Sequence, residues 1–189
     1  MYSVPNFCDA GATPLRGIKP IFCDKFILGE VITVKVEDKD WGTVVKSISY
    51  AKDKIIAVEV IGSERAVWGG LASLNAKLNG VKAVVIDGYV RDVEDIKYLK
   101  FPVFAKGIIP NAGKPLDEGE INIKIKCGST HIKPGDFLAL DVNGAALIER
   151  EMLEEIKNKV REVKNKERKI RELILRGWNL KDILKLGDI

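Results

Sequence analysis

Three β-branched runs constrain this chain most: Val31-Ile32-Thr33-Val34-Lys35-Val36, Ile55-Ile56-Ala57-Val58-Glu59-Val60 and Val81-Lys82-Ala83-Val84-Val85-Ile86, each read as a strand. Segments patterned as helices separate them. Asp38-Lys39-Asp40 ends the first run and can cap a helix that continues to about Ala51. Residues 61–65 read as a loop, and Leu71, Leu74 and Leu78 supply the apolar stripe of a second helix that Gly80 ends. The third run is apolar enough to be buried on both faces. Strand, helix, strand with short connections implies a right-handed parallel crossover, so the loops after Val60 and after Ile86 open on one edge of the sheet. Ligand sites of open α/β sheets lie at that edge.

The remainder is organised differently. Residues 1–28, punctuated by Gly11, Pro14, Gly17 and Pro20, read as a small helix or turns followed by extended chain. A short helix at 93–99 is stopped by Phe101-Pro102. Short strands are expected at 103–106, 121–125, 130–132, 137–141 and 145–148, with Pro134-Gly135-Asp136 and Asn143-Gly144 suited to hairpins. This half reads as β-rich and largely antiparallel. Leu153, Ile156, Val160, Val163, Ile170 and Ile174 then recur at three- and four-residue steps along a charged helix ending near Gly177, and Asn179 can cap a last short one. The expected division is a body at 1–148 and a helical extension at 149–189.

Composition narrows the class. At 189 residues the chain suits one buried core with an appendage, and 46% hydrophobic with 31% charged residues excludes disordered and low-complexity classes. No apolar run approaches the roughly 20 residues of a membrane span. The first residues have neither a basic start nor an apolar stretch, so a cytoplasmic protein is expected. Cys8, Cys23 and Cys127 form no C-x-x-C pair and read as reduced and structural. Of the formal charge of +4, residues 149–189 carry +3, and the body is nearly neutral. Interspersed Lys and Glu read as a solvated helix surface, and aromatics are not interleaved with basic residues, so nucleic acid is not an expected partner. The chain has no Gln and is rich in Lys, Glu and Ile, a usage that fits a heat-adapted source.

Glycine-rich dinucleotide and P-loop fingerprints, the G-x-S-x-G elbow and H-E-x-x-H are all missing. Two features remain. Trp68-Gly69-Gly70-Leu71-Ala72-Ser73 opens the second helix; its glycines either let a ligand approach free N–H groups at a helix N-terminus or allow close helix–sheet packing. Arg91-Asp92 follows a buried strand and a Gly turn. Arginine offers a bidentate fork to a carboxylate and aspartate can hold a metal ion or its waters; alternatively Asp92 caps the helix at 93 and Arg91 makes a surface ion pair. Asp87 reads as a strand-end residue tying down the turn, Tyr89 as a pocket or packing residue, and His131 as a partly buried spectator.

Taken together, residues 66–73, the stretch Gly80 to Asp92 containing Asp87-Gly88-Tyr89-Val90-Arg91-Asp92, Phe101-Pro102-Val103-Phe104-Ala105 and Pro134-Gly135-Asp136 resemble one family in order and spacing. It is the family of regulator of ribonuclease activity A and 4-hydroxy-4-methyl-2-oxoglutarate aldolase, once labelled demethylmenaquinone methyltransferase, and the resemblance extends from about Asp9 to Ile148. It implies an α/β/β sandwich of the swivelling-domain type, assembled as a homotrimer or homohexamer. It also implies either a class II aldolase or oxaloacetate decarboxylase using Mg²⁺ or Mn²⁺ and releasing pyruvate, or a non-catalytic regulator that binds RNA-processing proteins. By matching positions, Arg91 would grip the small 2-oxo acid, Asp92 would anchor the metal, and Gly69 with the amides of Gly70, Leu71 and Ala72 would receive the substrate carboxylate. Members with aldolase activity usually carry an acid where this chain has Gly70, which removes a candidate general base. An altered substrate or weak aldolase activity is the expected consequence.

Overall fold

The computed structural model describes residues 2–186. In chain order α1 (Val4–Asp9), β1 (Thr13–Pro14) and β2 (Lys19–Phe22) lead into the long strand β3 (Ile27–Glu37). Then follow α2 (Gly42–Ser47), β4 (Ile55–Ile61), β5 (Ala66–Trp68), α3 (Gly70–Leu78), β6 (Ala83–Val90), α4 (Val93–Leu99) and β7 (Val103–Ile108). Five short strands, β8 (Glu120–Ile121), β9 (Ile125–Cys127), β10 (Thr130–Ile132), β11 (Phe137–Asp141) and β12 (Gly144–Ile148), precede α5 (Leu153–Leu175) and α6 (Leu180–Ile183).

The three β-branched runs form adjacent parallel strands, β3 beside β4 beside β6, and β7 adds a fourth. The full order is β1-β12-β11-β3-β4-β6-β7-β2, with the outer strands antiparallel. Side-chain alternation then sorts the core. Ile56, Val58, Val84, Ile86 and Val103 point to the face covered by α2, α3 and α4, while Ile55, Ala57, Val85 and Phe104 point to the other. On that second face the sheet curls over, so Leu138 and Leu140 of β11 and Leu147 of β12 meet the parallel strands. Ala139, Ala146 and Ile148 face outward from the curl and are covered by Phe7 of α1 and by Ile156 and Val160 of α5. This is the helix–sheet–sheet sandwich expected, with the long C-terminal helix laid across its back.

Three local expectations fail for tertiary reasons. Leu71, Leu74 and Leu78 do not form the buried stripe of α3: they are 85%, 40% and 78% exposed, and Gly70, Ser73 and Ala76 face the core instead. The inward face must be small because Trp68 lies against it, its indole N–H donating to Ser73 Oγ at 2.8 Å. The 121–125 strand is cut at Asn122, which has φ +61°, leaving β8 on β3 and a separate β9–β10 pair. The Pro134-Gly135-Asp136 turn does not close a hairpin, because β10 pairs with β9 while β11 pairs with β3 and β12. Asp136 instead fixes a crossing between sheets, its carboxylate accepting from the N–H groups of Lys133 and Arg150. The Asn143-Gly144 hairpin is present, joining β11 to β12.

α2 is also shorter than its pattern, ending at Ser47 with a 3-10 turn at Ile48–Tyr50. Along α5 only Ile156 and Val160 are fully buried, Val163, Ile170 and Leu173 are half-buried, and Ile174 is 45% exposed. Among the described residues no helix is long and apolar enough to cross a membrane.

Candidate functional site

β6 runs past the strand end expected at Ile86 to Val90, so Asp87-Gly88-Tyr89-Val90 is strand, not loop; β4 and β6 still end on one edge, and β5 explains how those ends meet. It runs parallel to β6, Ala66 beside Tyr89 and Trp68 beside Val90, and the Arg91 N–H donates to the Trp68 carbonyl at 3.0 Å. Arg91 and Asp92 therefore leave the sheet alongside Gly69 and the start of α3.

Asp92 adopts φ +55° and ψ +48°, a left-handed conformation that costs a non-glycine residue about 1 kcal/mol. The twist separates its two polar ends. Its carbonyl enters α4, accepting from the Ile96 N–H, and its carboxylate turns back to α3, where the Gly70 N–H donates to Oδ2 at 3.1 Å. Asp92 is the residue before α4, but its side chain makes no cap bond there, as one of the two sequence readings had it, and instead caps α3. Arg91 Nε lies 3.5 Å from the same Oδ2, and both side chains stay open to solvent, 45% and 40% exposed.

The two glycines are explained by these acids. A Cβ on Gly69 would sit 2.5 Å from Asp92 Oδ2, and one on Gly70 would sit 2.6 Å from Asp95 Oδ2. Gly69 is extended at φ −162°, so close approach, not backbone freedom, requires glycine there. Gly70 is empty of a side chain because Asp95, one turn into α4, fills that space. Asp95 was not singled out from the sequence, although its position three residues after Asp92 places it one helical turn away on the same side.

Gly69, Arg91 and Asp92 edge a pocket of about 350 Å³. Trp41 and Val45 of the α2 region, Ala66, Val67 and Trp68 of β5, Ala72 of α3 and Ala112 form its walls; Leu71, Asn75, Gly69, Arg91 and Asp92 complete the lining. The amides of Leu71 and Ala72 are in the first turn of α3, where no intrahelical carbonyl is available to them. The Gly70 amide is already taken by Asp92.

Trp41 and Ala112 reach the pocket through a buried polar knot that no spacing in the sequence announces. Asp40, 1% exposed, accepts from the N–H groups of Gly42, Leu116, Asp117 and Glu118 and from the Thr43 hydroxyl at 2.7 Å. Burial alone would raise its carboxyl, but the Thr43 hydroxyl and the Glu118, Asp117 and Gly42 amides outweigh it and hold the carboxyl below the usual range. The 112–119 loop is thereby tied to α2, and the Trp41 indole N–H donates to the Gly113 carbonyl at 3.1 Å.

The remaining candidates lie elsewhere. Asp87 points to the opposite face of β6, 7% exposed, with Lys106 Nζ 2.8 Å from Oδ1 as an ion pair whose angles are not those of a hydrogen bond. Tyr89 is a packing residue whose ring lies where a Cβ on Gly107 would be 3.1 Å away. His131 is exposed on β10, more open than expected. The three cysteines are free thiols, and burial pushes the Cys127 thiol far up, away from reactivity.

Among the described residues no three acidic, His or Cys side chains gather as a metal cluster. A Mg²⁺-type ion needs no such cluster, since it keeps several waters and takes one or two carboxylates plus substrate oxygens. The half-exposed Asp92 carboxylate at the pocket edge fits that sparse donor set.

Comparison with known proteins bears on the family and the fold. The RraA-like model, described as Aldolase/RraA, matches residues 4–147. An uncharacterised protein of Methanocaldococcus jannaschii is 59% identical over 189 residues, covering 98% of this chain and 91% of its own. A protein of Halalkalibacterium halodurans, provisionally named 4-hydroxy-4-methyl-2-oxoglutarate aldolase, is 32% identical over 184 residues, covering 92% of this chain and 88% of its own. Among solved structures, one described as the RNA-processing inhibitor RraA from Thermus thermophilis superposes with a TM-score of 0.70 at 25% identity, over 78% of this chain and 93% of that one. With the family model spanning residues 4–147 and a relative 32% identical over most of both chains, the chain belongs to the RraA-like (Aldolase/RraA) family.

Proposed function

We propose that this protein is a divalent-metal-dependent carbon–carbon lyase that releases pyruvate from a small 2-oxo acid, either a 4-hydroxy-2-oxo acid or oxaloacetate. The observation that carries the reading is the meeting of Arg91, Asp92 and the open first turn of α3 at one pocket mouth. Arg91 grips the 2-oxo acid's carboxylate, and the Leu71 and Ala72 amides add two donors at the positive end of the helix. Asp92 holds the cation, which would supply Lewis-acid stabilisation of the negative charge that develops on the 2-oxo oxygen.

Cleavage of a 4-hydroxy-2-oxo acid takes the proton from the 4-hydroxyl, breaks the C3–C4 bond and returns a proton to C3 of the pyruvate enolate. Asp95, whose carboxylate occupies the space a side chain at residue 70 would fill, stands outside the residues that line the pocket, so no proton carrier is assigned to it. The test is pyruvate release with Mg²⁺ or Mn²⁺ against EDTA, for wild type and Asp92→Ala; turnover that survives the substitution sinks the reading.

A second reading, a non-catalytic regulator of RNA-decay enzymes, is favoured by one observation: Leu175, Trp178 and Leu180 at the end of α5 and start of α6 are 80%, 57% and 48% exposed amid basic residues. It requires salt-sensitive capture of a nuclease or helicase. The exposed face of α3 and the outer half of α5 also support assembly as a homotrimer or homohexamer, which sedimentation at several concentrations would read directly.

A further inference from the structure

Resting on the lyase reading and deepening it, we propose that Asn75 reads the far end of the substrate: its carboxamide NH2 donates to a second carboxylate and so favours 2-oxo diacids over analogues that end in a methyl group. Asn75 lines the pocket together with Leu71 and Ala72 of the same helix. It follows them by four and three residues, so it shares their face and lies one turn, about 5.4 Å, further along the axis. Because it belongs to this chain's own α3, it is present whatever else borders the cleft.

The hydrogen bonds around Asn75 fix which way its amide points. Asn79 Nδ2 donates to the Asn75 backbone carbonyl at 2.8 Å, so the nitrogen of Asn79, not its oxygen, faces back along α3. The same nitrogen lies 2.8 Å from the Asn75 side chain, and the atom it meets there must be the acceptor, Oδ1. With Oδ1 turned to Asn79, the Asn75 NH2 is left on the other side of the planar group. Helical side chains lean toward the N-terminus, which brings that NH2 toward the Leu71 and Ala72 end of the pocket. A carboxamide whose acceptor is spent recognises acceptors. An ionised carboxylate only accepts, whereas a hydroxyl also carries a hydrogen that Asn75 has no free atom to receive. The positive end of α3 adds its preference for an anion. Arg91 and the first-turn amides hold the carboxylate beside the 2-oxo group, and Asn75 takes the second. The carboxyl carbons of an extended four- or five-carbon diacid are roughly 4–5 Å apart, close to the one-turn step.

The test is the ratio of kcat/KM, with Mg²⁺, for 4-hydroxy-4-methyl-2-oxoglutarate to that for 4-hydroxy-4-methyl-2-oxopentanoate, in which a methyl replaces the second carboxylate. Asn75→Ala is expected to lower the ratio about tenfold, through KM, and Asn75→Asp, which sets an anion against the second carboxylate, on the order of 100-fold. Asn79→Asp turns the Asn75 amide over, because the new side chain can only accept; it is expected to lower the ratio at least threefold, more than Asn79→Ala does. A role for Asn79 in helix stability alone would not order these two variants so. Both positions are exposed, so none of the substitutions disturbs the core. Turnover whose ratio is indifferent to Asn75→Asp overturns the proposal and leaves the lyase reading standing. If neither substrate is cleaved, the lyase reading falls and binding decides the proposal separately. In a Trp178→Phe background, indole fluorescence of Trp41 and Trp68 is titrated with 2-oxoglutarate and with 2-oxopentanoate. Selective weakening of 2-oxoglutarate by Asn75→Asp supports the proposal; equal weakening of both, no change, or no binding of either refutes it.

Discussion

Two aspartates at helix starts on the same side of the sheet, Asp40 before α2 and Asp92 before α4, have opposite fates. Asp40 is 1% exposed and saturated by backbone amides and a hydroxyl. Asp92 is 40% exposed at its side chain and holds one amide and an imperfect Arg91 contact, in a strained backbone conformation. A buried carboxylate whose lone pairs are all used organises structure and has nothing left for a ligand. One that is half open and incompletely satisfied can take a cation or water without dismantling the fold. That contrast teaches which acid to assign to chemistry.

Substitutions can break or sharpen the contrast. Asp40→Ala strands several buried donors and should cost about 3–5 kcal/mol, with a fall in Tm of roughly 2–4 °C for each kcal/mol. A thermal melt showing no change would dismiss the knot. Asp92→Ala should reduce metal-dependent pyruvate release on the order of 100-fold while Tm moves by only a few degrees. Arg91→Lys keeps the charge but loses the planar fork, and steady-state assays should show kcat/KM down about tenfold.

Smaller effects probe the geometry around the glycines. Gly70→Ala places a methyl against Asp95 and should cost about 1 kcal/mol by denaturant titration. If the variant is neutral, Asp95 does not own that space. The acid side gives the mildest signature. Because the folded-state carboxyl of Asp40 is depressed, its contribution is complete above the unfolded value near 3.9 and disappears as pH falls through the lower folded value. Stability should therefore be insensitive to Asp40 between pH 5 and 7, and Asp40→Asn should flatten the loss seen below about pH 4.

Much of the site was legible because its signals are local. The period-2 runs give β3, β4 and β6, the helix patterns between them force parallel pairing, and that pairing delivers Arg91 and Asp92 to the edge. Long-range partners were not legible. Nothing at Leu71, Leu74 and Leu78 shows that α3 must turn a small face to Trp68, and the apolar residues consequently point outward. The glycine pair showed that something comes close to the chain, but not that the visitors are Asp92 and Asp95.

The sequence by itself determined the parallel strands and the sheet edge that carries the candidate chemistry, since hydrophobic periodicity and turn residues act over a few neighbours, while the sandwich followed from the resemblance of its motifs to a known family. Only the tertiary structure decided that Asp92 caps α3, that Asp95 replaces a side chain at residue 70, and that Trp41 and Ala112 wall the pocket. Those contacts join residues 22, 25 or about 70 positions apart. Their strength depends on burial and approach distance, and both exist only once the sheet has brought the segments together.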